Sequence, residues 1–110
     1  MNPVWVVLAD AIVNNKQVTL TYHGLPREMC PHVLGFKRGN EHCLFYQFGG
    51  SSSRGIYPLT DPKAYMNWRC LDLPEISNVV SRIGEWYSIS RHSSPQTCID
   101  DVRVEVSGWE

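Results

Sequence analysis

Arginine is costly to bury without a partner, and one arginine of this chain lies within an otherwise core-like run. Arg69 stands between Trp68 and Cys70-Leu71. A guanidinium held on a rigid strand presents a planar fork that matches phosphate or carboxylate oxygens. Arg69 is therefore the first candidate for the centre of an anion site. Its other reading is an internal ion pair with Asp72 or Glu75. Tyr22 and Arg27 bracket a turn, and Arg54 sits in a glycine- and serine-rich stretch. Two arginines and an aromatic ring converging on Arg69 would form an anion site with a stacking platform; taken alone, Arg54 reads as solvent-facing. The run Gly49-Gly50-Ser51-Ser52-Ser53 has backbone N–H groups to offer a phosphate. It lacks the lysine and helix of a phosphate-binding loop and reads as a linker.

Ligand types for a metal are scattered along the chain: His23, Cys30, His32, His42, Cys43, Cys70, His92 and Cys98. Cys30-Pro31-His32 and the adjacent His42-Cys43 lack the gaps of a structural zinc site, although Cys30 and His32 share a strand face. Half-buried cysteines behaving as small apolar residues are the better account, and no metal is assigned. Cys98 with His92 or His32 would be a nucleophile and base. Thr97-Cys98-Ile99 offers no recognisable nucleophile context, so the reading expects no catalysis and no cofactor.

Composition frames these candidates. The chain has 110 residues, long enough for one domain with its own core. Its formal net charge of −1 counts against a polyanion partner. Charge is unevenly spread: Arg27, Lys37 and Arg38 lie on or beside the early strands, whereas Asp100, Asp101, Glu105 and Glu110 make the end acidic. The start Met1-Asn2-Pro3-Val4-Trp5 carries no basic region, and Asp10 interrupts a short apolar run that is far too short to span a bilayer. The expectation is a cytoplasmic protein with reduced thiols and no membrane contact.

The elements that must position the candidates follow from periodicity. Asn2-Pro3 opens a helix, since Asn caps and Pro at the first helical position loses no hydrogen bond. Val4, Val7, Leu8, Ala11 and Ile12 form one apolar stripe, and Asn14-Asn15 ends the helix. From Gln17 the period becomes two, with Val18, Leu20 and Tyr22 on one face. His23-Gly24-Leu25-Pro26 is a turn. A strand then runs from Arg27 to Phe36, with Pro31 marking an edge or bulge. Arg38-Gly39-Asn40 turns into a strand over Glu41–Phe48. The segment from Gly49 to Asn67 reads as a long loop, expected to be mobile and to order on ligand. Trp68–Leu73 resumes a strand, Leu73–Ile76 is a short turn, and Ser77–Trp86 and Val102–Val106 are further strands. The fold expected is mainly β with one N-terminal α-helix: a small, strongly bent sheet or barrel of about five strands. It divides into a helix over 1–15, a barrel over 17–86 and a C-terminal extension over 87–110.

Residues Ile12, Val18-Thr19-Leu20-Thr21-Tyr22, Gly24, Arg27, Pro31, Leu34, Gly39, Leu44, Tyr46-Gln47, Gly49-Gly50 and Trp68-Arg69-Cys70-Leu71-Asp72-Leu73-Pro74-Glu75-Ile76 together resemble the WYL-domain family. These are small Sm-like β-barrels of bacterial transcription regulators and short stand-alone proteins. The likeness is to the stand-alone branch, and Pro95-Gln96-Thr97-Cys98-Ile99-Asp100-Asp101-Val102 is similar to its tail. The family's eponymous tripeptide falls at His42-Cys43-Leu44, where only the leucine agrees; Tyr46 lies two residues on, on the same strand face. The resemblance implies a non-enzymatic sensor or regulatory barrel that binds a small anionic or nucleotide-like ligand through a basic surface. The contacts expected are Arg69, Arg27, Tyr22, Arg54 and Tyr46. Two rival readings stand beside it. One is a nucleic-acid-binding barrel. The other is an interaction module or homo-oligomer that pairs through a sheet edge, with Trp5, Trp86 or Trp109 as anchors.

Overall fold

The computed structural model describes residues 2–88 and 96–107. Helix α1 spans Pro3–Val13. Asn2 caps it as its composition demands, the Oδ1 accepting the Val4 N–H at 2.9 Å. At the other end Asn15 takes a left-handed φ of 51°, a conformation asparagine tolerates. Trp5, Leu8, Ala11 and Ile12 are buried. The stripe is thus centred one residue from the expected line: Trp5 takes the deep position, and Val7 is only partly covered.

Six strands follow among the described residues: β1 (Gln17–Tyr22), β2 (Leu25–Lys37), β3 (Asn40–Gly50), β4 (Trp68–Asp72), β5 (Ile76–Arg82) and β6 (Asp101–Glu105). They form one antiparallel sheet in the order β4-β3-β2-β1-β5, with β6 pairing β2 off that path. The sheet is bent but not closed. A 3-10 turn, Leu73–Glu75, links the two end strands β4 and β5, and the Tyr22 hydroxyl on β1 accepts the Asp72 N–H on β4 at 3.3 Å. The small bent sheet of the sequence reading is what forms, and each of the six strand segments read from the sequence has its counterpart. β5 stops at Arg82, short of the Trp86 expected.

Pro31 acts as its chemistry requires. It cannot donate to a ladder, and the β2–β3 register shifts between Pro31 and Val33. That extra residue turns both Met29 and Leu34 into the same core, although strict alternation would put them on opposite faces. The core joins the α1 stripe to Val18, Leu20, Tyr22, Phe45, Leu71, Leu73 and Ile76.

β6 is held against the end of β2 by more than its ladder. Lys37 Nζ donates to the Thr97 carbonyl at 2.7 Å, and the Arg38 N–H to Asp100 Oδ2 at 3.1 Å. A disulfide joins Cys70 on β4 to Cys98 just before β6. This corrects the expectation of four reduced thiols; Cys30 and Cys43 alone are free, and both are buried. Even scatter along the chain hid a pair 28 residues apart in sequence.

Gly35 is where β2 meets β6 most closely. A methyl group there would overlap the Asp101 carbonyl and lie 2.7 Å from Ile99 Cγ2. Gly35→Ala is expected to cost about 1–3 kcal/mol, the usual range for overpacking, and to accelerate amide exchange in β6 ahead of β1. Unchanged exchange at Val102 and Val104 would contradict it.

Candidate functional site

Arg27 lies near the start of β2, opposite Leu20 on β1 and Gly50 on β3. Leu20 is a core residue, so alternation turns Arg27 inward, and it is 5 % exposed. Gly50 permits this, because a side chain there would collide with the backbone at Pro26 and Arg27. The Arg27 guanidinium lies 5.2 Å from the Tyr22 ring centroid, within cation–π range. Its Nη2 donates to the Tyr22 carbonyl at 3.4 Å, while its buried Nε has no partner. Burial lowers its pKa from the usual value, and the nearby Arg54 adds to the shift.

Arg69 stands opposite Phe45, a core residue, and is 3 % exposed. Neither carboxylate proposed as its partner takes the role. Glu75 pairs with His23 at 2.6 Å, and Asp72 lies 4.0 Å from His42. Arg69 instead donates to backbone carbonyls: Nη1 to Met66 at 2.7 Å and Trp68 at 3.2 Å, Nη2 to Gly55 at 2.8 Å. Its Nε is buried without a partner. Burial brings the guanidinium down to about 10, with Arg54 and Arg27 contributing; it stays charged at neutral pH.

Three arginines from β2, β4 and the intervening loop thus share one electrostatic neighbourhood. Among the described residues no carboxylate pairs with any of them. Arg54 is exposed, whereas Arg27 and Arg69 are buried. Tyr22 lies under Arg27. Tyr46, by contrast, faces away from this core: it is opposite Trp68, with ring centroids 5.1 Å apart, and its hydroxyl donates to the Ala64 carbonyl at 3.0 Å. Its ring is wholly buried and offers no stacking surface. Of the five expected contacts, the three arginines act on one another, Tyr22 lies against Arg27, and Tyr46 acts on the Arg69 charge while its hydroxyl supports the loop.

That loop is better anchored than its composition suggests. Asn67, fully buried, accepts the Tyr57 N–H at 2.9 Å and donates to the Tyr57 carbonyl at 2.7 Å. Gln47 donates to Gly49 and Ser51, and Arg69 to Gly55. Side chains thus tie the loop at Gly49, Ser51, Gly55 and Tyr57. No role is read for Asn67 or Gln47 in the sequence, although Gln47 is among the WYL-like residues; a polar residue inside an apolar run, the signal that drew attention to Arg69, also marks Gln47 between Tyr46 and Phe48.

The Cys–His alternatives resolve differently. Cys98 is bonded to Cys70 and is no free nucleophile; His92 lies outside the described residues. Among the described residues no group of three or more His, Cys, Asp or Glu gathers as a metal would need. Cys30 is buried, and its thiol is pushed up to about 11 by burial. His32 is buried between Trp68 and Trp86, with ring centroids 4.7 and 4.8 Å away. Its Nδ1 meets the Cys30 carbonyl at 2.8 Å and its Nε2 the Ser88 hydroxyl at 2.9 Å. The spacing is that of a base and a hydroxyl, but burial pulls the imidazole down to about 4, far from the range of an effective base at neutral pH. Trp5 and Trp86, expected as interface anchors, pack inward instead: Trp5 on Phe36 at 5.4 Å, Trp86 on His32. Trp109 lies outside the described residues. Among those residues no helix is long and apolar enough to cross a membrane.

No protein-family model, curated protein or solved structure matches the chain.

Proposed function

We propose that this chain is a non-enzymatic sensor or regulatory module that binds a small anionic, nucleotide-like ligand at the Arg27–Arg54–Arg69 cluster. The observation that carries the reading is three guanidinium groups in one neighbourhood, two of them buried, with no carboxylate paired to them among the described residues. Holding like charges together is unfavourable, and an anion seated on them offsets that cost. The Nε groups of Arg27 and Arg69 are unused donors. Arg54 and Arg27 make the direct contacts and Tyr22 backs Arg27. Arg69 positions the loop through Gly55 and Met66 while adding its charge. The WYL-like residues point the same way, and the proposal includes a cytoplasmic setting.

Titration calorimetry with pyrophosphate and with adenosine monophosphate tests this. Binding is expected, and Arg54→Gln should weaken it about tenfold or more, since losing a charge-assisted contact costs about 1.5–3 kcal/mol. Absence of binding to both probes, or an unchanged affinity in Arg54→Gln and Arg27→Gln, overturns the reading. Retention on single-stranded DNA that falls steeply with salt would instead favour the nucleic-acid reading.

One observation favours assembly through a sheet edge as a second reading. β5 ends the sheet path and exposes Val80 (60 %), with Ile83 (91 %) just beyond it. Unpaired edges with apolar side chains invite pairing. A mass by light scattering that rises with concentration, and falls back in Val80→Lys, is the expected sign.

A further inference from the structure

A cleft of about 380 Å³ runs between β3, β4 and the C-terminal segment, lined by Lys37, His42, Trp68, Thr97 and the Cys70–Cys98 disulfide. Its size is that of a small-molecule site. The two cysteines differ in exposure: Cys70 is exposed, whereas Cys98 is 7 % exposed and packs with Val33, Leu44 and Ile99. One wall of the cleft holds a cation, Lys37, whose Nζ donates to the Thr97 carbonyl next in sequence to Cys98. Cations near sulfur favour its thiolate form, and so also favour its departure from a disulfide. Beyond Cys98 the chain runs directly into Ile99, Asp100 and β6, the strand laid on the end of β2.

We propose that this cleft is a docking site for a small anionic thiol of the glutathione class, and that Cys70–Cys98 is a reducible staple governing whether β6 stays on the sheet. A thiolate entering the cleft reaches Cys70 Sγ first. It forms a mixed disulfide there, and the electron pair of the broken S–S bond leaves on Cys98, which takes up a proton. A second thiolate attacks the mixed disulfide at the incoming sulfur and releases Cys70, which is protonated in turn. Two small thiols are oxidised to one disulfide, and Cys70 and Cys98 are each reduced to a thiol. With the covalent tie gone, β6 is held by its short ladder to Val33–Phe36, the Lys37 and Arg38 contacts, the Asp100 and Val106 N–H bonds to the Phe36 and His32 carbonyls, and the burial of Ile99 and Val106. Cys30 and Cys43 take no part, being buried in the sheet.

The test uses the full chain with reduced glutathione at millimolar concentration under native conditions, followed by alkylation and mass spectrometry. Cys70 and Cys98 should become alkylated while Cys30 and Cys43 stay protected, and a trapped glutathione adduct should map to Cys70. Amide exchange at Val102 and Val104 should accelerate at least tenfold on reduction, with β1 unchanged. Cys70→Ser should show that faster exchange without any thiol. The proposal is overturned if all four cysteines become reactive together, if the adduct maps to Cys98, or if β6 exchanges equally in both redox states. It is also overturned if the protein handled without reductant carries Cys70 and Cys98 as free thiols.

Discussion

Removal of residues 1–13 is expected to leave a chain with no cooperative thermal transition. The α1 stripe buries Trp5, Leu8 and Ile12 against the sheet, with Ala11 between them. At about 1.5–3 kcal/mol for each large side chain, the three contribute on the order of 5–9 kcal/mol before entropy is subtracted. The whole net stability of a small domain is about 5–15 kcal/mol. The helix cannot recoup this elsewhere, because eleven residues rich in valine are marginal as an isolated helix. Circular dichroism of the truncated chain checks it. A monomer with an unchanged melting temperature would mean that the stripe is not part of the core.

Stability should also fall by about 3 kcal/mol between pH 6.5 and pH 4, through His32. Its imidazole is buried and held neutral, with a folded pKa of about 4 against 6.5 for the free side chain. Between those values the unfolded chain binds a proton that the folded one does not. The stabilising contribution is therefore complete above about pH 6.5 and is lost as the pH falls toward 4. Each unit of difference is worth about 1.4 kcal/mol. Asp10 and Asp101, whose carboxylates Lys16 and Arg103 hold below the usual range, act only at lower pH. Denaturant unfolding across this window should show the slope, and His32→Gln should flatten it. An imidazole resonance that titrates near its ordinary value in the native protein would refute the assignment.

Both predictions rest on residues that the sequence presented unequally. The helix was legible because capping and 3.6-residue spacing act locally: Asn2, Pro3 and Asn14-Asn15 carry its limits on their own chemistry. His32 appeared only as a stray metal ligand, since nothing nearby in sequence announces Trp68 and Trp86 on either side of its ring. Trp5 was missed as a core residue for a related reason. Phe36, against which it packs, belongs to a strand more than thirty residues on.

The candidate site divides along the same line. Arg27 could be singled out in the sequence because it brackets the first turn with Tyr22, and Arg69 because an arginine inside a core-like run must resolve its charge somehow. How it does so was not readable. Carbonyls of Gly55 and Met66, which no side-chain pattern distinguishes, took the place expected of Asp72 or Glu75. Tyr46 shares a strand with Phe45 but not its face, and the bulge at Pro31 altered which neighbours each face meets.

What the sequence alone determined, then, is what short-range rules decide: the helix and its caps, the two-residue period of β1, the turns at Gly24 and Gly39, and an edge or bulge at Pro31. The strand order, the addition of β6 to β2, the Cys70–Cys98 bond and the gathering of three arginines were decided only in the tertiary structure. Each depends on which distant surfaces the bend of the sheet brings face to face. That bend sums small twists and register shifts over many residues, and no single residue encodes it.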